Sequence, residues 1–402
     1  MENKTKAWRV FSVVYIASVV IPMCQFKVPP VMPLLIKDLG ISMGTAGFMM
    51  SIFAVAGILI AIPAAMLLTK LGPKKSGMIA LACAVLGSVI GAMAQGAATI
   101  LIGRTIEGIS VGLIAVVAPA AICMWFPPEK RGLPMGIWAT WVPVGIFIIF
   151  NIAGPLSDSF GWKGVWWFTA IVCFVELILY AIVVDAPKAM GAAADAGCEQ
   201  EVEPYGKALL NPKTWIVALV FMAFNVACMA FNTWEASFLQ TELNFVPASA
   251  SFQVSFMNLV YIPASIVAGM VLNMVRKRHL VFSASMLAYT IVIFWCFKLA
   301  SAGAVMPYMV VLGIVTGFVP PTAFTLAPET MKDVRHAGLA LAIVGGIGQN
   351  IGFFIGPPII GAIAQHQGWG AAALPTAAAS AVGFFIALAV RPVAKPSLAT
   401  DS

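Results

Sequence analysis

The sequence predicts an all-α membrane protein with twelve transmembrane helices in two pseudo-symmetric six-helix halves. Three observations predict it. Of 402 residues, 61% are apolar and only 10% are charged, where a soluble domain carries about 25% charged residues. The apolar residues fall into twelve runs, each close to the roughly 20 residues that a helix needs to cross a bilayer. The last six runs echo the first six at a constant offset of 204 residues. Too little polar surface remains to cover a soluble enzyme, and the apolar content is too high for disorder.

The runs lie near residues 8–36, 43–69, 76–95, 98–126, 133–156, 164–184, 213–240, 247–274, 280–299, 303–327, 337–360 and 370–390. None alternates as a strand would, and backbone groups in lipid must be satisfied internally, so each reads as a helix. The chain then divides into a six-helix half at 1–184, a polar linker at 185–212 and a second half at 213–402. Twelve spans place both termini on one side. The loops on that side carry 18 of the 23 basic residues, among them Lys70, Lys74, Lys75, Lys130, Arg131, Lys188, Lys207, Arg276, Lys277, Arg278, Lys332, Arg335, Arg391 and Lys395. Only Lys37, Lys163 and Lys298 lie on the other side. This bias predicts cytoplasmic termini in a multi-pass protein of the plasma (inner) membrane. The net charge of +7 is thereby an orientation signal and calls for no nucleic acid. Six of the seven Cys sit inside apolar runs, with Cys198 in the linker, and read as small packing residues.

The repeat is explicit in the residues. Ala46–Ser51 matches Ala250–Ser255, and Arg131 falls on Arg335. With small slips, Gly154-Pro155 matches Gly356-Pro357 and Gly161-Trp162 matches Gly368-Trp369. Parallel six-helix halves with a site between them are a transporter architecture. On these residues, on Arg104-Thr-Ile-Glu107-Gly108 in span 4 and on Gly154-Pro155 in span 5, the chain resembles the major facilitator superfamily, and within it the organic-anion porters. The family's loop after span 2 reads G-x-x-x-D-R-x-G-R-[RK]. Here Thr69, and Asn273 in the second half, stand where the acid belongs, so the resemblance implies a weakened latch between the halves. The superfamily's nitrate branch places an Arg in spans 2 and 8, and its oxalate branch a Lys in span 11; this chain has neither.

Charges inside a membrane are costly, by roughly 2.5–3.5 kcal/mol on insertion scales, and are functional candidates by default. There are five: Lys27, Arg104, Glu107, Glu176 and Glu235. Lys27 and Arg104 sit at similar depth in spans 1 and 4, which line the central cavity in the family. If both face it, two cations converge on a site suited to a carboxylate, with Arg offering a fork and Lys a point charge. Glu107, one turn from Arg104, is either its neutralising partner or a carboxylate that carries H⁺. Glu235 is either a cavity residue near Lys27 or an interfacial residue facing water, and a second proton-coupling candidate. Glu176 on span 6 is expected in a structural hydrogen bond. Gln25, Asn232, Tyr308, Phe231 and Trp141 are candidate substrate contacts.

Pro29-Pro30, Pro320-Pro321 and Gly154-Pro155 are candidate gating positions. Prolines 29 and 30 would free the carbonyls of Gln25 and Phe26 and kink the chain, and Pro320-Pro321 would do the same in span 10. No His lies in a span, and there is no P-loop, metal cluster or nucleophile triad, so no cofactor is expected and neither an ATP-driven pump nor a membrane enzyme is indicated. The expected function is secondary active transport of a small organic anion by a monomer, by alternating access, with a proton as co-substrate and membrane lipid as surroundings. The alternatives are proton-coupled efflux of amphipathic drugs or cations, and porting of a small inorganic anion such as cyanate or nitrate.

Overall fold

A computed structural model describes residues 2–126, 132–185, 209–331 and 337–390. Most of the linker, with Cys198, and the basic residues Lys130, Arg131, Lys188, Lys207, Lys332, Arg335, Arg391 and Lys395 lie outside the described residues. Every regular element among the described residues is helical.

Span 1 is the helix Glu2–Phe26. It stops because Pro29 and Pro30 have no N–H to continue the ladder. The chain passes through a 3₁₀ turn, Pro29–Val31, into a short helix, Met32–Leu39, closed by Gly40 at φ 61°. Spans 2 and 3 form a single run, Met43–Ala92, folded back at Gly72, where φ is 73°. Span 4 is Ala97–Trp125. Spans 5 and 6 comprise the short helix Gly132–Trp138 and the run Trp141–Val183, folded at Gly161 with φ 65°. Only glycine adopts such dihedrals without strain.

The second half contains span 7, Pro212–Thr241; span 8, Pro247–Met274; span 9, Arg278–Ile293; and span 10, Ala302–Glu329. Span 11 runs through Ala337–Leu341, a π-helical segment Ala342–Gln349 and Asn350–Gln367. Span 12 is Trp369–Ala387.

Among the described residues, ten stretches are long and apolar enough to cross a membrane. The twelve expected spans appear because the 43-residue run Trp141–Val183 is two spans folded at Gly161, and because span 9 is short. At 16 residues span 9 is about 24 Å long, below the roughly 30 Å of hydrocarbon. Pro320-Pro321 lies inside span 10, which runs as one helix from Ala302 to Glu329. A proline costs a helix hydrogen bond and a clash with the preceding turn, but a helix packed against its neighbours can absorb both.

The two halves are joined on the side away from the termini. Met43 N donates to Gln365 Oε1 at 2.8 Å, and Ser51 Oγ to the Phe354 carbonyl at 2.7 Å, both between spans 2 and 11. Asn151 Nδ2 donates to Ser255 Oγ at 3.0 Å between spans 5 and 8. Gly47 and Gly154 make these approaches possible: a Cβ on Gly47 would lie 2.4 Å from the Pro357 carbonyl oxygen, and one on Gly154 3.0 Å from Ala248 Cα. On the terminal side, the described ion pairs stay within one half each. Lys74 meets Asp185 at 2.9 Å, and Arg278, at the repeat-equivalent position, pairs with Glu329. The Lys74 hydrogen bond, aided by the charges of Lys74 and Lys6, holds the Asp185 carboxyl below the usual aspartate range against the opposing effect of burial. The side chains of Thr69 and Asn273 lie outside the described ones.

The far-side seal predicts a stability difference between two glycines. Gly47→Ala should destabilise the protein by about 1–3 kcal/mol, read as a lower melting temperature in detergent, because the added methyl meets backbone that cannot move alone. Gly269→Ala, with nothing within 4 Å of its Cβ position, should leave the melt unchanged.

Candidate functional site

The break in span 1 creates the chemistry of the N-terminal half. A helix interior would bond the Gln25 carbonyl to the N–H of residue 29, and Pro29 has none. Arg104 supplies the missing donor: its NH2 group donates to Gln25 O at 2.8 Å, while NH1 donates to Cys24 O at 2.6 Å and Nε to Met49 O of span 2 at 3.1 Å. NH1 also donates to Glu107 Oε2 at 2.8 Å, and NH2 approaches Met50 Sδ at 3.8 Å. The guanidinium lies 4.4 Å from the centroid of Phe53. All five N–H donors of the fork are thereby engaged.

Lys27 completes the network from the other side of Glu107. Its ammonium donates to Glu107 Oε1 at 2.6 Å, to Thr169 Oγ1 of span 6 at 2.9 Å and to Ser88 Oγ of span 3 at 3.0 Å. Ser88 in turn donates to the same carboxylate oxygen at 2.7 Å. The Trp166 ring stands 4.8 Å from Nζ. Lys27, Arg104 and Glu107 are all 0% exposed. Two cations thus share one carboxylate, and the excess positive charge is offset by carbonyls, hydroxyls and two ring faces.

This arrangement corrects the expected orientation. Lys27 and Arg104 do converge, but inside the N-terminal bundle among spans 1, 2, 3, 4 and 6, and not as open donors on a cavity between the halves. Glu107 is the partner of both. Its backbone carbonyl also accepts from Ser110 Oγ. The turn that follows Lys27 links this network to the other half: the Pro29–Val31 segment packs against spans 7 and 8 as well as the run Trp141–Val183.

The C-terminal half is arranged differently. Glu235 is fully buried, so it does not face water, and it has no contact with Lys27. Neither of its oxygens has a hydrogen-bond partner among the described residues. The backbone amide of Phe297 approaches it, and Cys296 and Tyr308 lie in its neighbourhood. Phe297 has φ 57°, an uncommon backbone for a bulky residue. The Tyr308 hydroxyl is likewise buried and unpartnered, and Phe231 lies 6.4 Å from Tyr308, ring to ring. These candidates of spans 7 and 10 are therefore brought together.

The remaining candidates are dispersed. Asn232 donates to its own helix at Cys228 O, 2.9 Å, and accepts from Asn258 Nδ2 at 3.1 Å. Trp141 stacks on Trp138 at 5.7 Å, and Trp138 Nε1 donates to Ser18 Oγ at 3.0 Å. Gln25 contributes its backbone carbonyl to Arg104. Glu176 does not form the expected hydrogen bond through Oε1, which has no partner among the described residues.

Ser88, Thr169, Trp166 and Asn258 were not singled out from the sequence. A lone Ser, Thr or Trp within an apolar run carries no periodic or motif signal, and only folding reveals what it faces. The π-helical stretch in span 11 had a weak signal, Gly345-Gly346-Ile347-Gly348, and Gly348 packs onto span 7 with its Cβ position 2.7 Å from Ala218 O. Single π segments are frequent at functional sites.

Charge arithmetic in the buried network predicts an order of stabilities. Glu107→Gln leaves two buried cations with no counter-charge and should cost about 3–5 kcal/mol. Lys27→Met leaves Arg104 and Glu107 as a matched pair and should cost less. Melting curves of the two variants in the same detergent should rank wild type, Lys27→Met, Glu107→Gln from most to least stable.

Known proteins match this chain in both sequence and fold. A "Probable hexose phosphate transport protein" of Chlamydia pneumoniae is 24% identical over 299 residues, covering 66% of this chain and 62% of that protein. The "Oxalate:formate antiporter" of Oxalobacter formigenes is 23% identical over 332 residues, covering 80% and 77%. Other curated relatives match over shorter stretches: in three of them the aligned part spans 27%, 30% and 32% of their own length. Among solved structures, a bacterial homolog of the human lysosomal transporter Spinster, in an inward-facing and occupied conformation, superposes with a TM-score of 0.80 at 13% identity, covering 95% of this chain and 96% of that one. The nucleoside transporter NupG superposes with a TM-score of 0.79 at 12% identity, covering 96% and 99%. The family model of the Major Facilitator Superfamily matches residues 14–245 and 226–402, and the chain belongs to that superfamily.

Proposed function

We propose that this transporter moves a small organic anion of the carboxylate type across the plasma (inner) membrane, as a monomer with cytoplasmic termini, coupled to a proton. The observation that carries the reading is the buried excess of positive charge at the break of span 1, where Lys27 and Arg104 share the single carboxylate of Glu107. A charge imbalance in low dielectric is relieved by a monoanion nearby, and an incoming carboxylate is the natural competitor for Glu107. Two relatives with long matches, the hexose phosphate and oxalate:formate proteins, are named for anionic cargo, which supports the same class.

The proton is assigned to Glu235. Charging and discharging Glu107 breaks two ion pairs and a hydroxyl hydrogen bond. Glu235 has no such partners to lose, and it lies on span 7, which the Pro29–Val31 turn touches. With cytoplasmic termini, the hydrogen-bonded far side makes this conformation closed outward. Transport then requires the span 2–11 and span 5–8 contacts to part while the turn after Lys27 shifts. A ligand drives that step only by its differential affinity for the two conformations.

The unpaired Glu235 carboxyl beside Phe231 and Tyr308 also favours a second reading, proton-coupled efflux of an organic cation. Proteoliposomes separate the two. Uptake of radiolabelled small carboxylates driven by a pH gradient should fall at least tenfold in Lys27→Met, while Glu235→Gln should abolish the dependence on the gradient. Carboxylate uptake that survives both Lys27→Met and Arg104→Met, in variants shown to melt cooperatively, overturns the anion reading. Gradient-driven movement of a cationic dye lost only in Glu235→Gln would establish the second.

A further inference from the structure

We propose that Cys24 and Cys173 form a redox modification site, two facing thiols that hydrogen peroxide converts to a disulfide tying span 1 to span 6 beside Lys27.

The geometry is specific. The two Sγ atoms are 3.4 Å apart, across 149 residues of sequence. Both residues are buried. A disulfide is about 2.05 Å long, so the sulfurs need to close by roughly 1.4 Å. The backbone at Cys24 is suited to that adjustment, because it stands in the last turn of the span 1 helix, which ends at Phe26 before the 3₁₀ turn. Cys173 is one turn beyond Thr169 on span 6, and Thr169 is a partner of Lys27. Ser88, another Lys27 partner, lies 3.8 Å from the Cys24 sulfur. The thiol pair therefore joins the same elements that the ammonium joins. The other described cysteines, Cys83, Cys228 and Cys296, lie on spans 3, 7 and just after span 9, and no contact between two of their sulfurs is formed among the described residues.

Peroxide is small and uncharged and can enter an apolar bundle. The Cys24 sulfur attacks one peroxide oxygen; an S–O bond forms, the O–O bond breaks, and the departing hydroxide takes the Cys24 proton and leaves as water. The Cys173 sulfur then attacks the Cys24 sulfur; the S–S bond forms, the S–O bond breaks, and the second hydroxide leaves as water with the Cys173 proton. Two thiols lose two electrons in total and peroxide becomes two waters.

The test uses the purified full chain in detergent, treated with hydrogen peroxide, alkylated and digested without reduction. The expected result is a peptide pair joined through Cys24 and Cys173, an intact mass lower by two hydrogens, and a higher melting temperature, because the bridge closes a very long loop in the unfolded chain. Dithiothreitol should reverse all three. Cys24→Ser and Cys173→Ser should each remove them; if either variant melts below the reduced wild type, Cys24→Ala or Cys173→Ala replaces it. Full alkylation of both thiols after a treatment that oxidises glutathione in the same tube overturns the proposal. So does a bridge to any other cysteine, or a bridge that lowers the melting temperature.

Discussion

The Gln25 carbonyl, left without a helix donor by Pro29, is the constraint on which the N-terminal half depends. In a membrane no water is available to satisfy it, and an unmet backbone group costs several kcal/mol. Arg104 meets it from span 4, and also the neighbouring Cys24 carbonyl. A buried guanidinium then needs a counter-charge, which Glu107 supplies. Lys27 shares that carboxylate and reaches spans 3 and 6 through Ser88 and Thr169. A local defect in one helix thus determines the polar core of an entire bundle.

The halves repeat in sequence but not in chemistry. The N-terminal half holds a saturated network with every donor of Lys27 and Arg104 engaged. The C-terminal half holds a bare carboxyl at Glu235 with Tyr308 beside it. A saturated network changes only when a competing anion replaces one of its contacts. A group without partners changes its charge without breaking contacts. The Pro29–Val31 turn, packed on the run Trp141–Val183 and on spans 7 and 8, connects the polar core of the first half to the second.

The fold was legible to a large degree. Span lengths follow from bilayer thickness and apolar content, so the twelve runs emerge from hydropathy alone, including the two pairs that fold back at Gly72 and Gly161. The stop at Phe26 was also legible, because proline chemistry is local. Pro320-Pro321 has the same local chemistry as Pro29-Pro30, yet the chain stays within one helix there, so local chemistry alone does not decide where a helix ends. The candidate site was only partly legible. The five intramembrane charges stand out against lipid, yet Ser88, Thr169, Cys24 and Cys173 look like ordinary members of apolar runs.

By itself the sequence determined the membrane class, the number of spans, the repeat and the presence of a few buried charges. All of these follow from periodicity and the cost of placing charge in hydrocarbon, which act on each segment alone. The tertiary structure decided which charges meet. Lys27 and Glu107 are 80 residues apart yet 2.6 Å apart in space, and Glu235, on a helix of equal apolar character, meets no cation. Pairing depends on the rotation of each helix about its axis and on its neighbours in the bundle, and neither is encoded in the composition of a single span.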